Sequence, residues 1–226
     1  MKTMKAACRG VAVMRRFGAP IVAVLLAVAT IAASAQLRAA DDAAGFISDL
    51  GQRTVQLLAA KAPEKEREAK FRAIFEEGFD IPMISRFVLG GYWRTVSEAQ
   101  RKDFTALFET YVIRAYAVRF NDYGGEQLKV TAARTEDEDN SMVQSVIARP
   151  SGAPPIKVDW RVNRTAKGFK ITDVVVEGVV VEGVSMAVTQ RQEFASVIQR
   201  NGGQIDALLK LLREKTGQGG PKNTAG

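Results

Sequence analysis

From Asp41 onward, apolar residues recur first at helical spacing, then at alternate positions, then at helical spacing again. "DDAAGFISDLGQRTVQLLAA" (41–60) opens with acids suited to a helix N-terminus and carries Phe46, Ile47, Leu50, Leu57 and Leu58 at apolar spacing. "PEKEREAKFRAIFEEGF" (63–79) begins with Pro63 and Glu64, favourable in a first turn, and sets Phe71, Ile74 and Phe75 as a stripe among charges. Asp80 can cap a short helix with Pro82 in its first turn, and Gly90-Gly91 ends it. Ser97 with Gln100 is a capping box for the longest helix, which bears Phe104, Leu107, Phe108, Tyr111, Val112 and Ala115 on one face. Gly124-Gly125 breaks it.

Four β segments follow. "EQLKVTAART" (126–135) places Leu128, Val130 and Ala132 on one face, and "SMVQSVIARP" (141–150) follows the acidic turn "EDEDN". In "PIKVDWRVNRT" (155–165), Ile156, Val158, Trp160 and Val162 alternate with Lys157, Asp159, Arg161 and Asn163. Such alternation predicts a sheet wet on one face and covered on the other. "GFKITDVVV" (168–176) alternates as far as Asp173 and then turns apolar on both faces. Short turns make an antiparallel meander the economical pairing. Two more helices follow, "SMAVTQRQEFASVIQR" and "QIDALLKLLREKTG". The expected fold is α+β: helices on one face of a curved, four-stranded antiparallel sheet. One such domain over residues 36–215 would then be followed by a disordered tail, 216–226.

Between the last strand and its following helix the chain writes VVVEG twice, at Val174–Gly178 and Val179–Gly183. Five residues match neither a strand nor a helix period. A longer strand would flip the second valine set to the other face, whereas a loop or bulge would leave both flanks in place. The second arrangement disturbs less, because insertions are tolerated at element ends.

The first 35 residues read differently. Lys2, Lys5, Arg9, Arg15 and Arg16 precede the apolar run "APIVAVLLAVATIAA", which ends in Ala33-Ser34-Ala35. A basic start, an apolar run of about 15 residues and a small-residue exit describe a cleaved secretory signal peptide. A membrane-spanning helix would need roughly 20 apolar residues. The charge changes meaning accordingly. The full chain is +7, but removing those five of its 32 basic residues leaves 27 against 25 acids. A net +2 removes the support for nucleic-acid binding, and it argues against long-lived adhesion to anionic lipid.

Cys8, the single cysteine, leaves with the leader, and the chain has no histidine. The secreted domain therefore lacks disulfides, cysteine nucleophiles, His-based triads and the usual zinc ligands. No nucleotide fingerprint is present. "EDEDN" (136–140) lacks calcium-loop spacing and reads as a hairpin tip. Glu177 and Glu182 read as caps or ion-pair partners before general acids. No cofactor or metal is expected. Phe104, Phe108, Tyr111, Tyr116, Phe120 and Trp160 aim at the helix–sheet interface. A filled core and a hydrophobic cavity demand the same residues there, and periodicity admits both.

"RFVLGGYWRTVSEAQRKDF", "PPIKVDWRV" and above all "VEGVSMAVTQRQEFASVIQRNGG" resemble the MlaC, or toluene-tolerance, family of periplasmic phospholipid-binding proteins. The resemblance runs from about Phe46 to Leu212 and departs at the second VVVEG, where the family pattern has one. It implies that the α+β domain of residues 36–215 encloses an apolar, lipid-binding cavity and serves as a soluble, non-enzymatic carrier in a Gram-negative periplasm. Its cargo would be phospholipid, and its transient partners an outer-membrane lipoprotein complex and an inner-membrane ABC transporter complex. Stable membrane insertion is not expected. A carrier of another membrane lipid such as a hopanoid, a small α+β enzyme on a hydrophobic substrate, and a purely structural adaptor are the competing readings. On the apolar face of each element, the tail-facing set is Phe104, Phe108, Tyr111, Val112, Tyr116, Val130, Val143, Val158, Trp160 and Ile171.

Overall fold

The structure is a computed structural model describing residues 19–60, 62–117, 122–150, 152–177 and 183–218, with side chains from Arg38 onward. Two units are distinguished, Met1–Gln36 and Leu37–Gly226. The leader reading rests on residues 1–35, whose side chains lie outside the described residues, as do Phe120 and residues 178–182 of the repeat. Among the described residues, no helix is long and apolar enough to cross a membrane.

The helices are α1 (Ala19–Ala59), α2 (Glu64–Gly78), α3 (Ile81–Leu89), α4 (Glu98–Ala117), α5 (Met186–Arg200) and α6 (Ile205–Lys215), with a 3-10 turn at Gly90–Arg94. Their ends follow local chemistry. The Asp80 side chain accepts the Met83 N–H at 2.9 Å and starts α3. Gly90 ends it at φ +60°, a conformation costly for any residue with a Cβ. The Ser97–Gln100 capping box forms in both directions, at 3.0 and 3.2 Å. At the end of α6 the fully buried Thr216 donates its hydroxyl to Leu212 O at 2.8 Å, so the packed domain runs past residue 215.

The sheet has five strands rather than four, in the order β1 (Gln127–Thr135), β2 (Asn140–Ala148), β3 (Ile156–Thr165), β4 (Gly168–Glu177) and β5 (Val184–Ser185). All neighbours are antiparallel. The fifth strand is two residues long and pairs Val184 with Val176 and Ser185 with Val175. Sequence alternation misses so short a segment.

Two irregularities bend the ladder. Thr131 is skipped in the β1–β2 register, so Ala133 joins Leu128 and Val130 on the inner side, and Ala132 is exposed. This corrects the Leu128–Val130–Ala132 face, because a bulge shifts the alternation by one residue. Thr172 is likewise unmatched between Ile171 and Asp173. At the β1–β2 tip, Asp137 accepts the Asp139 and Asn140 N–H groups at 3.0 and 2.9 Å, spending its carboxylate on the turn.

Three apolar clusters hold the layers. Ala43, Ile47 and Leu50 of α1 cover Val143, Val162 and Ile171 of the sheet. A purely helical cluster joins Ile84 and Val88 of α3, Phe104 and Phe108 of α4, Phe194 of α5 and Leu208 and Leu212 of α6. Phe75, Ile81 and Ile113 form the third. Phe79 packs against all three, stacks on Phe75 at 4.4 Å and bridges to Ile171. Lys170 of β4 ties α2 to the sheet by donating to the Glu76 and Glu77 carbonyls at its C-terminus, at 3.0 and 2.6 Å.

Candidate functional site

The sheet register sorts its side chains into two faces. Lys129, Arg134, Gln144, Lys157, Asp159, Arg161 and Asn163 share the outer, polar face, where Arg134 and Arg161 both reach Glu136, at 3.3 and 3.8 Å. The inner face carries three successive cross-strand rows. Under α1 lies the fully buried Val162–Ile171 pair; next come Ala133, Val143, Trp160 and Val174; then Val130, Ser145, Val158, Val176 and Val184. Beyond them stand Ile147 and Ile156.

Burial varies within these rows. Val143, Ser145 and Val158 are buried, whereas Val130, Trp160, Val174, Val176, Val184, Ile147 and Ile156 are half-buried although they share the inward face. The result is a strip of accessible apolar surface where β5 leads into α5. Its polar atoms are internally satisfied: Trp160 Nε1 donates to Ser145 Oγ at 2.8 Å, and Ser145 donates to Val158 O at 3.0 Å. None of these residues is ionisable. The half-buried side chains offer alkyl chains an apolar surface, and the one hydroxyl in these rows, that of Ser145, is spent on Val158 O.

The expected site residues divide between two places. Val130, Val143, Val158, Trp160 and Ile171 come together on the inner sheet face. Phe104 and Phe108 do not face the sheet. They stack on one another at 5.8 Å and meet Phe194 edge-on at 5.9 and 6.0 Å, inside the helical cluster. Tyr111 and Val112 pack on that cluster half-buried, and burial near the Glu193 carboxylate raises the Tyr111 phenol above its ordinary pKa. Tyr116 is 38% exposed. The physical reason is competition for partners. The α1 stripe already occupies the sheet, and α5 and α6 supply the complementary apolar faces that α4 needs.

Sequence reasoning missed Ser145, Val174, Val176, Val184 and Ile147 as neighbours of this strip, and it placed Ile156 on the Val158–Trp160 face without including it in the tail-facing set. Period-two alternation of "SMVQSVIA" does place Ser141, Val143, Ser145 and Ile147 on one face, but two serines disguise it as polar.

The family model for "MlaC protein" matches residues 49–214. The chain belongs to the MlaC family. It is 23% identical over 134 residues to the intermembrane phospholipid transport system binding protein MlaC of Haemophilus influenzae, covering 58% of this chain and 59% of that relative. Among solved structures, a phospholipid-binding protein from Ralstonia solanacearum, determined in complex with a phospholipid, has the same fold. Its TM-score is 0.68 at 18% identity, over 78% of this chain and 98% of that one. The α+β architecture expected from the sequence is therefore shared with a solved structure, with the strand count corrected to five.

Proposed function

We propose that this MlaC-family protein is a periplasmic phospholipid carrier that holds acyl chains against the inner face of its sheet. The observation that carries the reading is the charge-free, largely apolar row from Val130 to Val184 on the inner sheet face, together with its half-buried apolar neighbours. Exposing one methylene to water costs about 0.8 kcal/mol, so two chains with about 30 methylenes cost on the order of 20–25 kcal/mol. Only enclosure offsets that. An apolar pocket and a bilayer interior are nearly isoenergetic for the chains, so loading and release need no covalent step. The head group stays wet at the rim, where desolvation is small.

The leader read from residues 1–35 sends the chain to the periplasm. From there, transient docking on an outer-membrane lipoprotein complex and an inner-membrane ABC transporter complex completes a shuttle. Native mass spectrometry of protein purified from a bacterial periplasm tests the carrier role. The expected result is an adduct of phospholipid mass. Lipid-free protein that turns over a small hydrophobic substrate would overturn it.

A further inference from the structure

The helical layer leaves one apolar face uncovered. Met83 is 51% exposed and Phe87 41%, one turn apart on α3; Val188 is 41% and Met186 39% exposed at the start of α5. The α3 and α5 faces meet where the Arg191 guanidinium lies over the Phe87 ring at 5.2 Å. Val188 precedes Arg191 by one helical turn, so Met83, Phe87, Val188 and Arg191 form one surface. A Cβ built on Gly90 would stand 2.9 Å from Arg191 Nε, so the guanidinium is seated at the α3 C-terminus, where the helix dipole favours a cation. Arg86 is exposed on the same short helix. Among the described residues neither Arg86 nor Arg191 has an ion-pair partner, whereas Arg53, Arg72, Arg134, Arg161 and Arg213 all do. The nearest acid along α5, Glu193, points elsewhere, toward Gln190 and Tyr111.

We propose that this α3–α5 face is the surface by which the protein rests on the head-group layer of an anionic phospholipid bilayer. Exposed Phe, Met and Val side chains flanked by unpaired arginines match such an interface: the apolar groups dip below the head groups and the cations meet phosphate. The face adjoins the lipid strip, because α5 begins directly after the two-residue β5, whose Val184 pairs with Val176. Cargo leaving the strip by that edge meets the bilayer at once. A net charge near neutrality keeps the contact weak and short-lived, and salt screens it. The proposal rests on the carrier reading, and the test separates the two.

Flotation of the secreted protein with phosphatidylethanolamine–phosphatidylglycerol vesicles reads the contact. Binding is expected at about 0.01 M salt, to fall sharply by about 0.15 M, and to be absent with phosphatidylcholine vesicles. Replacing Arg86 and Arg191 by Glu, or Phe87 by Ser, should weaken binding; each cation lost costs roughly fivefold. The double variant Lys210→Glu/Lys215→Glu alters net charge equally on α6 and should still float. Equal loss in that control, or no flotation of the parent protein, overturns the proposal and leaves the face to a protein partner. Circular dichroism and co-purified lipid are measured on every variant. If the patch variants keep fold and cargo while losing the vesicles, docking is separated from carrying.

Discussion

The Asp173 carboxylate accepts a 2.6 Å hydrogen bond from Ser185 Oγ, across the segment that holds the tandem VVVEG. Its other oxygen accepts the Ala187 N–H at 3.1 Å and the Val174 N–H at 2.8 Å. Ser185 Oγ in turn accepts the Val188 N–H at 3.0 Å and caps α5. One carboxylate thereby fixes the last long strand, the short fifth strand and the following helix together. Asp173→Ala leaves these donors unmatched in a largely covered site and is expected to cost about 1–3 kcal/mol. Urea unfolding measures it; a midpoint unchanged from the parent would show the junction to be held elsewhere.

Half-buried strip positions should report on cargo with little effect on fold. Val176→Asp or Ile156→Asp places a charge among the acyl chains while the carboxylate can still reach water, so lipid retention should be lost in a folded protein. Phe108→Asp behaves differently. Its ring is buried between Phe104 and Phe194, so the charge is stranded in the helical core and unfolding by more than about 3 kcal/mol is expected. Lipid extraction and circular dichroism on the three variants distinguish the two outcomes. Folded Val176→Asp and Ile156→Asp proteins that still retain lipid would move the site off the sheet face.

Glu109 provides a pH test. Burial raises its carboxyl above the ordinary 4.5, the neighbouring Glu76 raises it further, and Arg72, at 3.1 Å, works against both. Raised in the folded protein, this acid binds its proton more tightly there than in the unfolded chain. Its contribution therefore favours the fold at low pH and declines as pH rises through the folded value. Glu77 has the opposite sign: the bidentate Arg53, at 2.8 and 2.6 Å, lowers its pKa, and that stabilisation fades on acidification. In Glu109→Gln the first effect is absent. The stability of the parent relative to this variant should thus be more favourable at about pH 5 than at about pH 7. Urea midpoints at both values decide it, and an unchanged difference would contradict the assignment.

Three helix starts were legible because their causes are local: Asp80 with Met83, Ser97 with Gln100, and Ser185 with Val188 each lie three residues apart. The start expected at Asp41 was wrong, because α1 runs unbroken from Ala19 to Ala59, and at 41 residues it, rather than the 20-residue α4, is the longer helix. The wet and covered sheet faces followed from the alternation of 155–165. The partner of each apolar stripe was not legible. A stripe such as Phe104–Phe108 states that it must be buried, and only the presence of α1 on the sheet determines that α5 and α6 bury it. Thr131 and Thr172 also escaped, since a bulge inserts one residue without a distinctive letter. Ser145 escaped for a different reason: its hydroxyl is tolerated inside because Trp160 and Val158 satisfy it.

The repeat supports a last prediction. Residues 178–182 lie outside the described residues, but the pairs on either side are placed: Val176 opposite Val184, and Val175 opposite Ser185. Removing Val179–Gly183 would join Gly178 to Val184 and leave Glu177-Gly178 as the two residues between the paired valines. Two residues are the commonest length for a hairpin connection, and a glycine there supplies a positive φ if the turn needs one. The register of β4 with β5 and the Asp173–Ser185 bond would both survive. The deletion also removes three consecutive valines, a segment of high β-propensity and low charge that promotes aggregation when exposed. The shortened protein is therefore expected to fold, with a thermal midpoint equal to or above that of the parent and similar lipid retention. Scanning calorimetry and lipid extraction test this. Insoluble protein, or one lacking a cooperative transition, would mean that the second valine set is integral core and that the β4–β5 connection needs its full length.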